Sequence, residues 1–160
     1  MLQIADKLDN IEQKTMKYTI LILTILTASA GWIMVQSGLV NRPWVNAYKL
    51  TIHFILAVLV IWAMVKTIAD VYNYKMEYTL KSKKIISILL GITFIQMIFA
   101  GLMAGMKAGL YYPTWPSMNG EFVPQVLVTS TNWNCGSLIN YDSYLFAPAL
   151  VQFTHRMLAY

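Results

Sequence analysis

The chain has 160 residues, of which 58% are hydrophobic and 12% charged, and its formal net charge is +5. An ordinary soluble domain carries about one-quarter charged residues, so this balance excludes that class and points to a protein of the bilayer. The lysines lie between apolar runs and form no continuous basic face, which argues against nucleic acid and for anchoring at a lipid headgroup surface.

In residues 1–17, Ile4, Leu8 and Ile11 recur at helical spacing beside Lys7, Lys14 and Lys17. That pattern predicts a short amphipathic helix on the cytoplasmic membrane surface. Residues 18–35 carry no charge and are long enough to cross a hydrocarbon core. Ala28-Ser29-Ala30 has the look of a signal-peptidase site. The apolar run continues past it, however, and Asp6, Asp9 and Glu12 precede it, so a span is preferred to a cleaved leader. Residues 50–65 contain one ionisable group, His53, and reach spanning length when 47–68 are counted. A lysine-rich loop over 69–84 leads to a third uncharged run at 85–106. A fourth apolar stretch begins near Ala147, with Pro148 placed where a helix tolerates a missing N–H.

From Pro148 to Tyr160 the chain covers roughly 20 Å of a core about 30 Å thick, so the fourth helix is expected to continue past Tyr160. Lysine and arginine placement predicts that the N-terminus and the 69–84 loop face the cytoplasm. The 36–49 and 107–146 loops then lie outside. The expected fold is an all-α integral membrane protein, a partial transmembrane bundle of three full spans and a truncated fourth.

His53 and His155 are the only histidines, and both fall at similar depth in the outer leaflet by this topology. Imidazole in a membrane marks a functional site by default, and its neutral nitrogen is a common iron ligand. The plainer reading is an interhelical hydrogen bond. Arg156, beside His155, suits either a carboxylate such as a haem propionate or a headgroup reached by snorkelling. Gly101, Gly105 and Gly109 recur every four residues and predict a small-residue ridge for close packing by a helix or a flat macrocycle. The methionines read as apolar filling, and Cys135 as a free loop thiol. The stretch "YYPTWPSMNGEFVP" suits an ordered aromatic cap at the membrane interface. No hydrolase triad, zinc spacing, phosphate loop or dinucleotide fingerprint is present.

Four segments in order, "GWIMVQSGLVNRP" with "YKLTIHFILA", "GLMAGMKAGLYYPTWPSMNGEFVP" and "QFTHRMLAY", resemble the haem A synthases, which convert haem O to haem A for terminal oxidases. The resemblance covers 31–160 apart from 70–84 and 129–146. It implies a pseudo-twofold pair of four-helix bundles, and an N-terminal segment that is not Arg-rich and acid-poor favours a bacterial inner membrane over a mitochondrial one. Residues 18–68 would then give two spans to the N-terminal half, and 85–160 a span, the outer loop and the truncated span to the C-terminal half. By resemblance His53 is an axial ligand where haem O is oxidised, and His155 a ligand of a haem b cofactor. Each would lack a partner histidine from this chain.

Gln152-x-x-His155-Arg156 is similar to the family's Glu-x-x-His-Arg pattern with an amide in place of the acid, so Gln152 and Arg156 join the cofactor-binding set while the catalytic carboxylate lies outside the chain. Cys135 stands without the partner that the outer-loop disulfide of some members needs. Haem O synthase and terminal oxidase assembly are the implied partners, with membrane lipid around the bundle and self-association left open. By this reading the chain alone is inactive. A di-histidine b-type cytochrome carrying electrons, and a subunit whose histidines only bond helices together, are the alternatives.

Overall fold

A computed structural model of the chain describes residues 2–38, 44–72, 77 and 79–160. Helix α1 runs Leu2–Gly38, α2 Ala47–Val71 and α3 Leu80–Gly105. Short helices α4 (Ala108–Tyr111), α5 (Gln125–Val128) and α6 (Cys135–Ile139) build the connection to α7, Phe146–Ala159. The described residues hold no β-strand, and their one extended pairing is an isolated bridge between Met118 and Glu121.

Three helices are long and apolar enough to cross a membrane: Gln13–Gln36, Ala47–Val71 and Leu80–Gly105. These are the three full spans that the uncharged runs predict. The third starts earlier than its first uncharged residue. Thr79 caps it by accepting the Ser82 N–H at 3.2 Å, and Lys81, Lys83 and Lys84 ride on its first turns. The backbone of α1 is continuous from Leu2 through Gly38, without a break near residue 17. The side chains of Ile4, Leu8 and Ile11, expected to form an amphipathic face, lie outside the described residues, as does Arg42. The fourth helix begins at Phe146, with Pro148 in its first turn; its first backbone bond, Ala149 N–H to the Leu145 carbonyl at 3.0 Å, needs nothing from the proline.

Threonines inside these helices satisfy their hydroxyls locally. Thr24, Thr27, Thr51, Thr67 and Thr154 each donate to the carbonyl four residues back. That removes an otherwise unpaired hydroxyl from an apolar medium.

The helices pack in chain order, α1 on α2, α2 on α3 and α3 on α7. Two glycines set the α2–α3 seam. A Cβ on Gly105 would lie 2.5 Å from Ala47 Cα, and one on Gly101 would lie 3.1 Å from Thr51 Oγ1. Only glycine admits this approach, the small-residue packing common between membrane helices. Gly109 does not extend the ridge: Lys107 adopts a left-handed φ of 54°, ends the line of α3, and leaves Gly109 facing open space. Lipid-side faces of α1, α2 and α3 display Leu21, Ile22, Ile61, Trp62, Leu89 and Leu90.

The packed core sits at one end of this bundle, under the 107–145 connection. Ala47, Met106, Tyr141, Ala147 and Val151 form one cluster, and Tyr112, Met118, Leu127, Phe146 and Ala149 a second. Asn119 and Gly120 both have positive φ, 59° and 96°, and turn the chain between Met118 and Glu121, as an Asn-Gly pair does in a tight hairpin. Tyr141 ties the connection to α2: its phenol oxygen accepts the buried Ala47 N–H at 2.8 Å. Tyr48 donates to the Leu138 carbonyl at 2.6 Å, and its ring meets Tyr141 edge-on at 5.6 Å. The aromatic stretch is thus an ordered cap, as its prolines and aromatics predict.

Candidate functional site

His53 lies on α2 against α1. Its Nδ1 is 3.0 Å from the Thr27 carbonyl oxygen. A carbonyl only accepts, so in the neutral ring Nδ1 carries the hydrogen and Nε2 keeps its lone pair. Thr27 can take this bond because a carbonyl has a second lone pair beyond the one used within the helix, and its own hydroxyl is occupied by the Leu23 carbonyl. Gly31 lets the ring settle there. A Cβ at that position would be 3.0 Å from His53 Cε1.

His155 lies on α7. Its backbone carbonyl accepts from Gln96 Nε2 of α3 at 2.8 Å, while its ring Nδ1 is buried without a hydrogen-bond partner. The α2–α3 register, Ala47 opposite Gly105 and Thr51 opposite Gly101, places Gln96 level with the third turn of α2. His155 is therefore within about one turn of the level of His53. α3 packs on both α2 and α7, and among the described residues no hydrogen bond joins the two histidines.

The remaining members of the 152–156 motif converge on the cap. Arg156 Nη2 donates to the Tyr112 carbonyl at 3.1 Å and to the Thr114 carbonyl at 2.5 Å, and Nη1 donates to the Ser117 carbonyl at 3.1 Å. Gln152 Nε2 donates to the same Tyr112 carbonyl at 3.2 Å. The cation is thus paid for by main-chain dipoles of the cap, an arrangement that neither the propionate nor the headgroup reading contains. A guanidinium has five N–H groups. Three are engaged here, which leaves two.

The cap holds itself in shape for this clamp. Thr114 Oγ1 donates to the Ser117 carbonyl at 2.8 Å and accepts the Asn119 N–H at 2.6 Å, and Asn119 Nδ2 donates to the Tyr111 carbonyl at 2.8 Å. Burial pushes the Tyr112 phenol up from its ordinary value of 10.0, and the Glu121 carboxylate adds to the shift. Cys135 is exposed and free; it borders a shallow cleft with Trp133, Leu138, Phe146 and Leu150. Between α2 and α3 an apolar cavity of about 220 Å³ is lined by Leu50, Phe54, Ala100, Gly101 and Ala104.

The family model described as cytochrome oxidase assembly protein matches residues 4–160. The chain belongs to the COX15-CtaA family. Curated relatives in it are named "Heme A synthase": that of Parvibaculum lavamentivorans is 38% identical over 132 residues, 81% of this chain and 36% of the relative. The protein of Wolbachia pipientis subsp. Culex pipiens is 38% identical over 88% of this chain and 41% of its own length, and that of Rickettsia bellii 33% identical over the same shares. The chain spans about two-fifths of the length of these relatives. No solved structure matches it. Family and spans together make it a multi-pass protein of the bacterial inner membrane.

Several functional contacts escaped the sequence reading. Thr27 and Gly31, which orient His53, are a threonine and a glycine among many in spans, and a main-chain acceptor leaves no residue signature. Gln96 is the sole polar amide in the third uncharged run, which was signal enough to mark it. Asn119-Gly120 is a plain turn dipeptide.

Proposed function

We propose that this chain contributes to the haem-binding core of a haem A synthase, which oxidises a methyl group of haem O to the formyl group of haem A. The name carried by its relatives supports the activity. The single observation that carries the site is the 3.0 Å contact of His53 Nδ1 with the Thr27 carbonyl, from which it follows that the neutral ring keeps the lone pair on Nε2 for a metal.

The residues present fit an iron porphyrin. His53 sits in a half-buried helix seam where Gly31 gives it room, and a second imidazole, His155, stands on α7. His53 would hold the iron of the substrate haem, and His155 that of a resident haem b. Haem b supplies electron transfer when bound. Conversion of methyl to formyl is a multi-electron oxidation that needs an acceptor or an oxygen-derived oxidant from outside the chain. This chain's own residues bind and orient. The two remaining N–H groups of Arg156, on Nε and Nη1, lie on different edges of the guanidinium, so a propionate oxygen would take one of them rather than the bidentate fork. Gln152 does no acid–base work, since an amide does not titrate. Haem O synthase supplies the substrate and terminal oxidase assembly takes the product.

Extraction of membrane haems decides the matter. At the native locus, His53→Ala should leave haem O where the unaltered gene gives haem A. An unchanged haem A content in that variant overturns the assignment.

A further inference from the structure

Three buried polar atoms among the described residues have no hydrogen-bond partner: Gln96 Oε1, Gln152 Oε1 and His155 Nδ1. Leaving such an atom unpaired forfeits its hydration without a replacement bond, so each calls for an explanation. Two of them, on Gln152 and His155, stand three residues apart on α7, at a spacing where side chains are neighbours.

The direction of the helix decides which glutamine serves His155. Helical carbonyls point toward the C-terminus, whereas side chains lean toward the N-terminus over the preceding turn. Gln96 bonds to the His155 carbonyl, so its amide lies on the C-terminal side of the residue. The imidazole leans the other way, over the turn that carries Gln152. Gln152 is only 7% exposed, and its amide is fixed end for end: the nitrogen must face the Tyr112 carbonyl, which only accepts. Its oxygen is therefore the end left over.

We infer that Gln152 is a positioning residue for His155: its Oε1 accepts from His155 Nδ1–H, with the gap closed by ring rotation or one intervening water. His155 Nε2 then keeps its lone pair, as His53 Nε2 does under the Thr27 carbonyl. The residue type follows from the two tasks. An amide donates to Tyr112 and accepts from His155 at once, while an ionised carboxylate could accept but not donate. Use of Nε2 for iron rests on the haem reading above; the tautomer does not.

The test is ¹⁵N NMR of histidine-labelled full chain in lipid nanodiscs without haem, which reads directly which ring nitrogen carries the hydrogen. The two imidazoles are assigned by the loss of their signals in His53→Ala and His155→Ala, and His53 serves as the internal control. Both should carry their hydrogen on Nδ1. Gln152→Leu should move it to Nε2 on His155 alone, and Gln96→Leu should move neither. Should Gln152→Leu fail to fold, Gln152→Glu keeps an acceptor and should keep His155 protonated at Nδ1. A wild-type His155 protonated at Nε2, a His155 indifferent to Gln152→Leu, or one that answers to Gln96→Leu instead, overturns the inference. Loss of the haem A reading at the native locus, with the tautomer kept, would leave this role intact.

Discussion

His53 on α2 and His155 on α7 stand within about one turn of the same level, yet they are oriented by different kinds of groups. On the His53 side the partner is a main-chain carbonyl, and the only side chain that matters is one that is missing, the Cβ of Gly31. On the His155 side, Gln152 and Arg156 reach to carbonyls of a folded cap, and Gln96 braces the helix from behind. The first arrangement is fixed by how closely two helices approach. The second is fixed by an ordered connection that is itself held by hydrogen bonds. A main-chain acceptor cannot be removed by substitution, so the His53 side resists point changes except by crowding, while the His155 side can be altered one bond at a time.

Crowding is the strongest way to break the contrast. Gly31→Leu puts a side chain where even a Cβ would be 3.0 Å from the His53 ring, so the ring must leave its carbonyl or α1 must move away. Overpacking with loss of a buried hydrogen bond should cost about 3 kcal/mol, read as a drop in melting temperature of the purified protein, with haem A lost from membranes. Gly109→Leu, facing open space, should do neither.

Arg156→Gln comes next. It removes three charge-assisted bonds to the cap and should cost about 2–3 kcal/mol, while Arg156→Lys recovers part of it. Faster amide exchange at Met118, whose N–H bonds to the Glu121 carbonyl across the cap turn, reports the loosened cap. Tyr141→Phe is milder: it strips the acceptor from the buried Ala47 N–H and should cost about 1–2 kcal/mol, visible as faster amide exchange at the start of α2.

The smallest effect is one of pH. Tyr112 is raised above 10.0 in the folded cap, first by burial and then by Glu121. The folded state therefore holds this proton more tightly than the unfolded one. Its contribution is complete below pH 10.0 and is lost as pH rises through the folded value. Tyr112→Phe should flatten that alkaline slope of cap stability, and an unchanged slope would remove Tyr112 from the account.

Much of the architecture was legible because charge is so sparse: runs of 18 and 22 residues without a charged group leave helices little alternative to spanning. His53, His155 and Arg156 were legible for the converse reason, as polar groups in apolar surroundings. What escaped was pairwise geometry. The glycine ridge read as three members, but the left-handed turn at Lys107 leaves two, and lysine carries no preference that would announce it. Arg156 read as waiting for an anion. Its acceptors are neutral carbonyls of residues 112, 114 and 117, which have no side-chain identity to find in a sequence.

The clamp also bears on the order in which the protein is made. All three carbonyls that receive Arg156 precede it by at least 39 positions, so the ribosome has already released them when the arginine emerges. A cap that has closed its Asn119-Gly120 turn presents a ready-made seat, and the most costly side chain of the fourth helix meets its partners on arrival rather than waiting exposed in lipid.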